Sequence, residues 1–428
     1  MIHMKKNWIK VGCYLCCLSA FWACNSEEDQ GLQAHLAEIA EAHDIMGGVV
    51  VLFDGAEQLE VVPFGQADLD RDIPVTDSTK FRIASISKPI ATIAAMQLVE
   101  QGLLDLDSDV STYLGFELKN PNFPDSAITP RMLMSHTSTI NDGPTYIDFL
   151  GASYSDNPIP PISALLASDG TFYTVEQFTD AAPGTYFNYA NINFGILGTI
   201  IEKISGERFD HYVRNHILLP LGIDGSFNIN QIENLDNVSI LYRKFEGVWT
   251  PQVDDYNGVQ PEFENLESYT IGSNGVRFGP QGGLRVSAPQ LATLFQLFLN
   301  DGTVNGVQIL SPASIQQMMS PQWTYDGANG DNYHDLFNSW GLSLHISTNS
   351  PNQDVVLDDF PPVIGHTGEA YGLLSAAFVS KENNLGFVYM INGSGIGFSN
   401  DYAHSSFYTV EKAIYDAAND ALKAYLNQ

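Results

Sequence analysis

Apolar residues recur along this chain at two different periods, and the change of period marks its elements. Leu32 to His43 carries helix-compatible apolar spacing, after which Gly47-Gly48 opens the β-branched run Val49-Val50-Val51-Leu52-Phe53. Asp54-Gly55 reads as a turn, and Leu59 to Phe64 returns as a second strand, so a hairpin is expected. From Ser85 to Leu104, Ile86, Ile90, Ile93, Ala94, Met96, Leu98 and Val99 line a helix. Pro89 is tolerable only in that helix's first turn and Gly102 suits its C-terminal cap, which places its start close to Ser85. A further helical stretch is predicted from Asn193 to Val213. Strand signals resume at Trp340–Ile346, Leu373–Ser380 and Leu385–Ile391, before a closing helix from about His404 to Leu426. Strands joined by short turns predict an antiparallel sheet flanked by the terminal helices, an α+β architecture. Residues from about 111 to 289 are richer in Pro, Asn, Asp and Gly and read as a mainly helical and loop insert between the α/β parts at about 31–110 and 290–428.

The N-terminus has a different pattern. Lys5, Lys6 and Lys10 precede an apolar run from Val11 to Ala23, the order of a secretory signal and too short to span a bilayer. All four cysteines, Cys13, Cys16, Cys17 and Cys24, fall in this segment, so cysteine chemistry is excluded from the body of the protein. Cys24 follows Phe21-Trp22-Ala23, which resembles a bacterial lipobox, although the aromatic pair departs from its usual form; an ordinary signal-peptide cleavage nearby is the alternative. The expected organisation is a lipoprotein signal peptide over 1–23, lipidation at Cys24, an acidic tether over 24–30 and a catalytic domain over 31–428. An exported lipoprotein of a bacterial outer membrane, periplasmic or surface-facing, follows from that reading. The formal net charge of −31 repels phosphate backbones, so nucleic acid is not an expected partner.

Candidate chemistry starts at Ser85-Ile86-Ser87-Lys88, a Ser-x-x-Lys motif at a helix start, where i and i+3 side chains share a face. A serine hydroxyl needs an adjacent base, and a lysine of lowered pKa can serve. Alone, the motif is short enough to arise by chance. It is followed in order by Tyr189-Ala190-Asn191, a Tyr-x-Asn pair, and by His366-Thr367-Gly368, a basic residue before Thr-Gly that sits just before the strand expected to begin near Leu373.

In those three motifs the chain resembles the serine β-lactamase family, in the branch of class C β-lactamases, DD-peptidases and related esterases. The resemblance extends over nearly all of residues 30–428, through Phe81-Arg82-Ile83-Ala84, Gly102-Leu103-Leu104-Asp105, Ile128-Thr129-Pro130-Arg131 to His136-Thr137-Ser138, and Gly282-Gly283-Leu284. It implies a β-lactamase/transpeptidase-like fold and a serine hydrolase that forms an acyl-enzyme on an ester or amide, esterase or D-amino-acid peptidase-like. β-Lactamase or DD-carboxypeptidase activity, or a non-catalytic penicillin-recognising protein, are the alternatives. By position, Ser85 would be acylated, Lys88 and Tyr189 would relay protons, and Asn191, His366, Thr367, Gly368 and Glu369 would bind the substrate. The backbone N–H groups of Ser85 and Glu369 would form the oxyanion hole. His366 replaces the lysine of the commonest β-lactamases, and Ser138-Thr139 stands where Ser-Gly is usual.

The expected partner is a small-molecule or peptide substrate, with no cofactor and no metal. The Asp-x-Asp-x-Asp runs at Asp68 and Asp105 lack the Gly and Glu of a calcium loop, and His211 and His216 are spaced to diverge on a helix. Arg285, after the Gly-Gly pair, reads as a surface arginine, with a substrate carboxylate as its alternative partner.

Overall fold

Every residue from Val49 to Phe53 is buried because the strand they form is covered on both faces. The computed structural model describes residues 31–262 and 266–427; the expected signal segment, Cys24 and the whole acidic tether lie outside the described residues. In strand β1 (Gly47–Asp54), Val49, Val51 and Phe53 enter one core, while Val50 and Leu52 enter another. Successive side chains leave a strand on opposite sides, so a run with both faces covered is apolar throughout. Helices α1 (Leu32–Ala42) and α5 (Thr409–Leu426) close the second core, through Leu32, Leu36, Ile414 and Leu422. Helices α2 (Ser87–Glu100), α3 (Ile192–Ser205) and α4 (Ala288–Leu299) supply side chains to the first.

Among the described residues the sheet has nine strands, all neighbours antiparallel. They are β1, β2 (Gln58–Asp68), β3 (Ile73–Pro74), β6 (Trp323–Thr324), β7 (Ser339–Trp340), β8 (His345–Ile346), β9 (Ile364–Ala370), β10 (Leu373–Ser380) and β11 (Leu385–Ile391), in the order β6-β7-β8-β9-β10-β11-β1-β2-β3. A separate two-stranded pair, β4 (Lys80–Arg82) and β5 (Arg285–Ser287), sets Arg82 opposite Arg285 and so joins the two ends of the intervening 83–284 segment. The β1–β2 turn forms as its sequence predicts: the Asp54 carboxylate accepts the backbone N–H groups of Ala56 and Glu57.

Three expectations are corrected. Trp340–Ile346 is not one strand, because the chain turns at Ser343, whose φ of 58° breaks the extended run and pairs Trp340 with His345. Asn193–Val213 is not one helix: Gly206, at φ 73°, ends α3, and a short helix resumes at Phe209–Val213. The His366-Thr367-Gly368 motif does not merely precede the sheet but forms β9 itself. Strand β8 pairs with β9 only at Ile364 and Gly365. From His366 to Ala370 that edge of β9 therefore has no strand partner among the described residues.

Candidate active site

Ser85 sits where β4 hands over to α2, in the single tight turn Ala84–Ile86 that precedes the helix. Ala84 has a left-handed φ of 48°, an unfavourable conformation for a residue with a side chain, held here at the entry to the site. Opposite this turn lies Gly368. A Cβ there would stand 2.6 Å from the Ile83 carbonyl oxygen and 2.5 Å from Ser375 Oγ, so only glycine lets β9 come this close to the Ser85 turn.

Lys88 is fully buried, one turn beyond Ser85. Its Nζ lies 2.8 Å from Ser85 Oγ and donates to Asn191 Oδ1 and to the Gln281 carbonyl, each at 2.9 Å. Burial disfavours the ammonium and lowers its pKa to about 7, against the opposing pull of Asp142. Two of the three contacts are obligate acceptors. A neutral amine has two N–H groups and one lone pair, so it satisfies Asn191 and Gln281 and turns the lone pair to the Ser85 hydroxyl.

The Tyr189 ring packs beside this pair, its centroid 4.8 Å from Lys88 Nζ. It is stacked on His136 at 4.2 Å and flanked by Phe337 and Trp340. Burial holds its phenol well above the usual range, hence protonated, against the opposing effect of Ser85. Asn191 precedes α3 without capping it through its own side chain. The cap comes from Asp142, whose Oδ1 accepts the Ile192 N–H at 2.9 Å while Oδ2 accepts the backbone N–H and the Nδ2 of Asn191 at 3.0 and 2.8 Å.

The imidazole of His366 is buried, and its Nδ1–H donates to the Thr367 carbonyl at 2.5 Å. Burial, with Lys88 nearby, holds its pKa well below the usual 6.5, so it carries no charge at neutral pH. Glu369 is exposed and accepts a 3.0 Å hydrogen bond from the Tyr408 hydroxyl.

Ser85, Tyr189, Asn191, His366, Thr367, Gly368 and Glu369 line one cavity of about 350 Å³, with Lys88 behind it. Tyr333, Phe337, Tyr402 and Tyr408 supply aromatic walls, Glu411 a second carboxyl group, and no Lys or Arg is among the described lining residues. Sequence reasoning missed Asp142 and the Gln281 carbonyl. Asp142 falls in the stretch read as a helical and loop insert, and nothing local pairs it with a residue 49 positions away. The reading of Arg285 as a surface residue is also corrected. Its guanidinium is buried, paired with Asp254 through two hydrogen bonds of 2.9 and 2.6 Å, and does not line the cavity at Ser85.

Among similar proteins, an uncharacterized protein of Mycobacterium tuberculosis strain CDC 1551 is 25% identical over 309 residues, 69% of this chain and 72% of that one. Penicillin-binding protein 4* of Bacillus subtilis is 28% identical over 45% of this chain and 40% of its own length. The octameric penicillin-binding protein homologue of Pyrococcus abyssi superimposes with a TM-score of 0.67 at 21% identity, covering 93% of this chain and 77% of that one. The D-amino acid amidase of Ochrobactrum anthropi SV3 gives 0.62 at 18% identity, covering 92% and 98%. These likenesses establish a β-lactamase/transpeptidase-like fold. The family model described as Beta-lactamase matches residues 32–405, most of the chain, which therefore belongs to the β-lactamase family.

Proposed function

We propose that this protein is a serine hydrolase that forms an acyl-enzyme at Ser85 on an ester or amide. The observation that carries the reading is the Lys88 amine, 2.8 Å from Ser85 Oγ, with a pKa lowered to about 7 and its other two contacts filled by acceptors. In the neutral state Lys88 takes the Ser85 proton as Oγ attacks the carbonyl carbon. The backbone N–H groups of Ser85 and Glu369 receive the developing oxyanion. Tyr189, protonated, gives its proton to the leaving group as the tetrahedral intermediate collapses, and the Lys88 ammonium replenishes it. Water then attacks the acyl-enzyme, and the same groups return Ser85 to its starting state.

The cavity supports ester or amide substrates that are neutral or carry an amine over those with a free carboxylate, such as a penicillin or a terminal D-Ala-D-Ala. His366 is uncharged, Arg285 is committed to Asp254, and the carboxyl groups lining the cavity are Glu369 and Glu411. The fold shared with a D-amino acid amidase is consistent with an amine-bearing amide. On the motifs of residues 1–24 alone, we also propose export and lipid attachment at Cys24.

Intact-protein mass after a fluorophosphonate, and separately after a β-lactam, tests both nucleophile and substrate class. Stoichiometric phosphonylation of wild type and none of Ser85→Ala is expected; labelling that survives in Ser85→Ala overturns the assignment.

A further inference from the structure

We propose that Asp142 is a positioning residue for the Lys88–Ser85 pair, fixing through Asn191 which way the Lys88 amine points. This deepens the acyl-transfer reading above and rests on it.

An asparagine amide has an acceptor end and a donor end, and either can face a given neighbour unless something chooses. Here Asp142 chooses. Its Oδ2 takes the Asn191 Nδ2 at 2.8 Å, which leaves Oδ1 directed at Lys88 Nζ, 2.9 Å away. The same carboxylate holds the backbone N–H groups of Asn191 and Ile192, so the amide is anchored at its root as well as its tip. With the amide reversed, Lys88 would meet an NH2 group. One of its own N–H groups would lose its acceptor, and the amine would rotate to use Ser85 Oγ as an acceptor instead of facing it with a lone pair. The order Asp142, Asn191, Lys88, Ser85 is thus a chain in which each hydrogen bond sets the polarity of the next. A helix cap alone needs only backbone N–H groups, and the Asn191 Nδ2 contact exceeds that requirement.

Asp142 has a second effect on the same amine. Among the described residues it is the carboxylate that acts on Lys88, and it raises the ammonium's pKa against burial. The other titratable groups around Lys88 are Tyr189, held as the neutral phenol, and His136 and His366, held as neutral imidazoles. Removing the Asp142 charge should therefore move the Lys88 titration toward acid, whereas loosening a helix cap should not.

The test is the rate of fluorophosphonate labelling against pH for the full chain, expressed per site labelled at completion so that folded fraction cancels. In Asp142→Asn the acid-limb midpoint is expected to fall by on the order of one unit. Its alkaline plateau is expected to fall about tenfold or more as the amide loses its fixed orientation. Asp142→Glu keeps the charge but displaces it, so its plateau should fall while the midpoint stays near wild type; it serves equally if Asp142→Asn does not accumulate. A lowered plateau in Asp142→Asn with an unmoved midpoint, or a wild-type profile, overturns the proposal, as does a midpoint in Asp142→Glu that moves to acid. Ser85→Ala runs alongside, and labelling there overturns the acyl-transfer reading itself, whatever Asp142 does.

Discussion

The His136 imidazole lies against the Tyr189 ring, centroids 4.2 Å apart and planes at 26°, and its Nδ1 accepts the Ala190 N–H at 3.1 Å. One side chain thereby fixes both the ring and the backbone beside it. The imidazole is neutral, since burial holds its pKa well below 6.5. His136→Phe should keep the stack but orphan the Ala190 N–H, at a cost of about 1–3 kcal/mol. His136→Ala removes both and should cost about 3–5 kcal/mol, with a greater loss in kcat than in KM because Tyr189 is then free to move. Denaturant unfolding and steady-state kinetics on the two variants check the ranking, which fails if the alanine variant is the more active.

Lys88 sets the pH dependence. Its folded pKa of about 7 lies below the 10.5 of an unfolded lysine, so the unfolded chain binds more protons between those values. Stability should therefore rise with pH across that window, the contribution being lost as pH falls. On the proposed acyl-transfer mechanism activity requires the neutral amine and should decline about tenfold per unit below pH 7. Lys88→Met removes the buried amine and should gain on the order of a few kcal/mol at pH 7, with a flatter stability profile and no turnover. A less stable methionine variant would show that the three hydrogen bonds of Lys88 outweigh its desolvation.

Arg285 and Asp254 form a fully buried pair, and breaking it strands a charge. Arg285→Ala should destabilise by about 3–5 kcal/mol, while the apolar double replacement Arg285→Met with Asp254→Leu should recover most of that loss. Relative rates among substrates should not move, because the pair does not line the Ser85 cavity. A changed ratio between carboxylate-bearing and neutral substrates in folded Arg285→Ala would contradict this placement.

What the sequence made legible was what it encodes locally. Ser85 and Lys88 are three residues apart on one helical face, and the apolar runs Leu373–Ser380 and Leu385–Ile391 form strands with those bounds. The family motifs carried the distant partners Tyr189 and His366 to one cavity. Features set by tertiary contact were not legible. Asp142 looks like any loop aspartate until α3 is laid beside it, and Arg285 looks exposed until Asp254 arrives from 31 residues away. The positive φ of the turn between Trp340 and His345 falls on Ser343 and not on Gly341, so no glycine announces it.

Substrate charge is the property on which the cavity speaks most directly. A bound carboxylate wants a cation or a set of donors, and a charge-assisted hydrogen bond contributes about 1.5–3 kcal/mol. The walls offer instead the exposed carboxylate of Glu369, the buried carboxyl of Glu411, whose pKa burial raises to about 7, and the faces of Tyr333 and Tyr402. Carboxylates and aromatic faces both favour a positively charged group over a negative one. Three substrates on one preparation separate the cases: p-nitrophenyl butyrate, a D-amino-acid p-nitroanilide with a free amine, and a chromogenic cephalosporin, with Ser85→Ala as the blank. The ester and the amine-bearing anilide should exceed the cephalosporin in kcat/KM. Glu369→Gln should lower the rate on the anilide by about threefold to tenfold and leave the neutral ester nearly unchanged, because a partly solvated charge contributes on the order of 1 kcal/mol. Cephalosporin turnover above the esters by two orders of magnitude would require a cation at this cavity and would refute the preference.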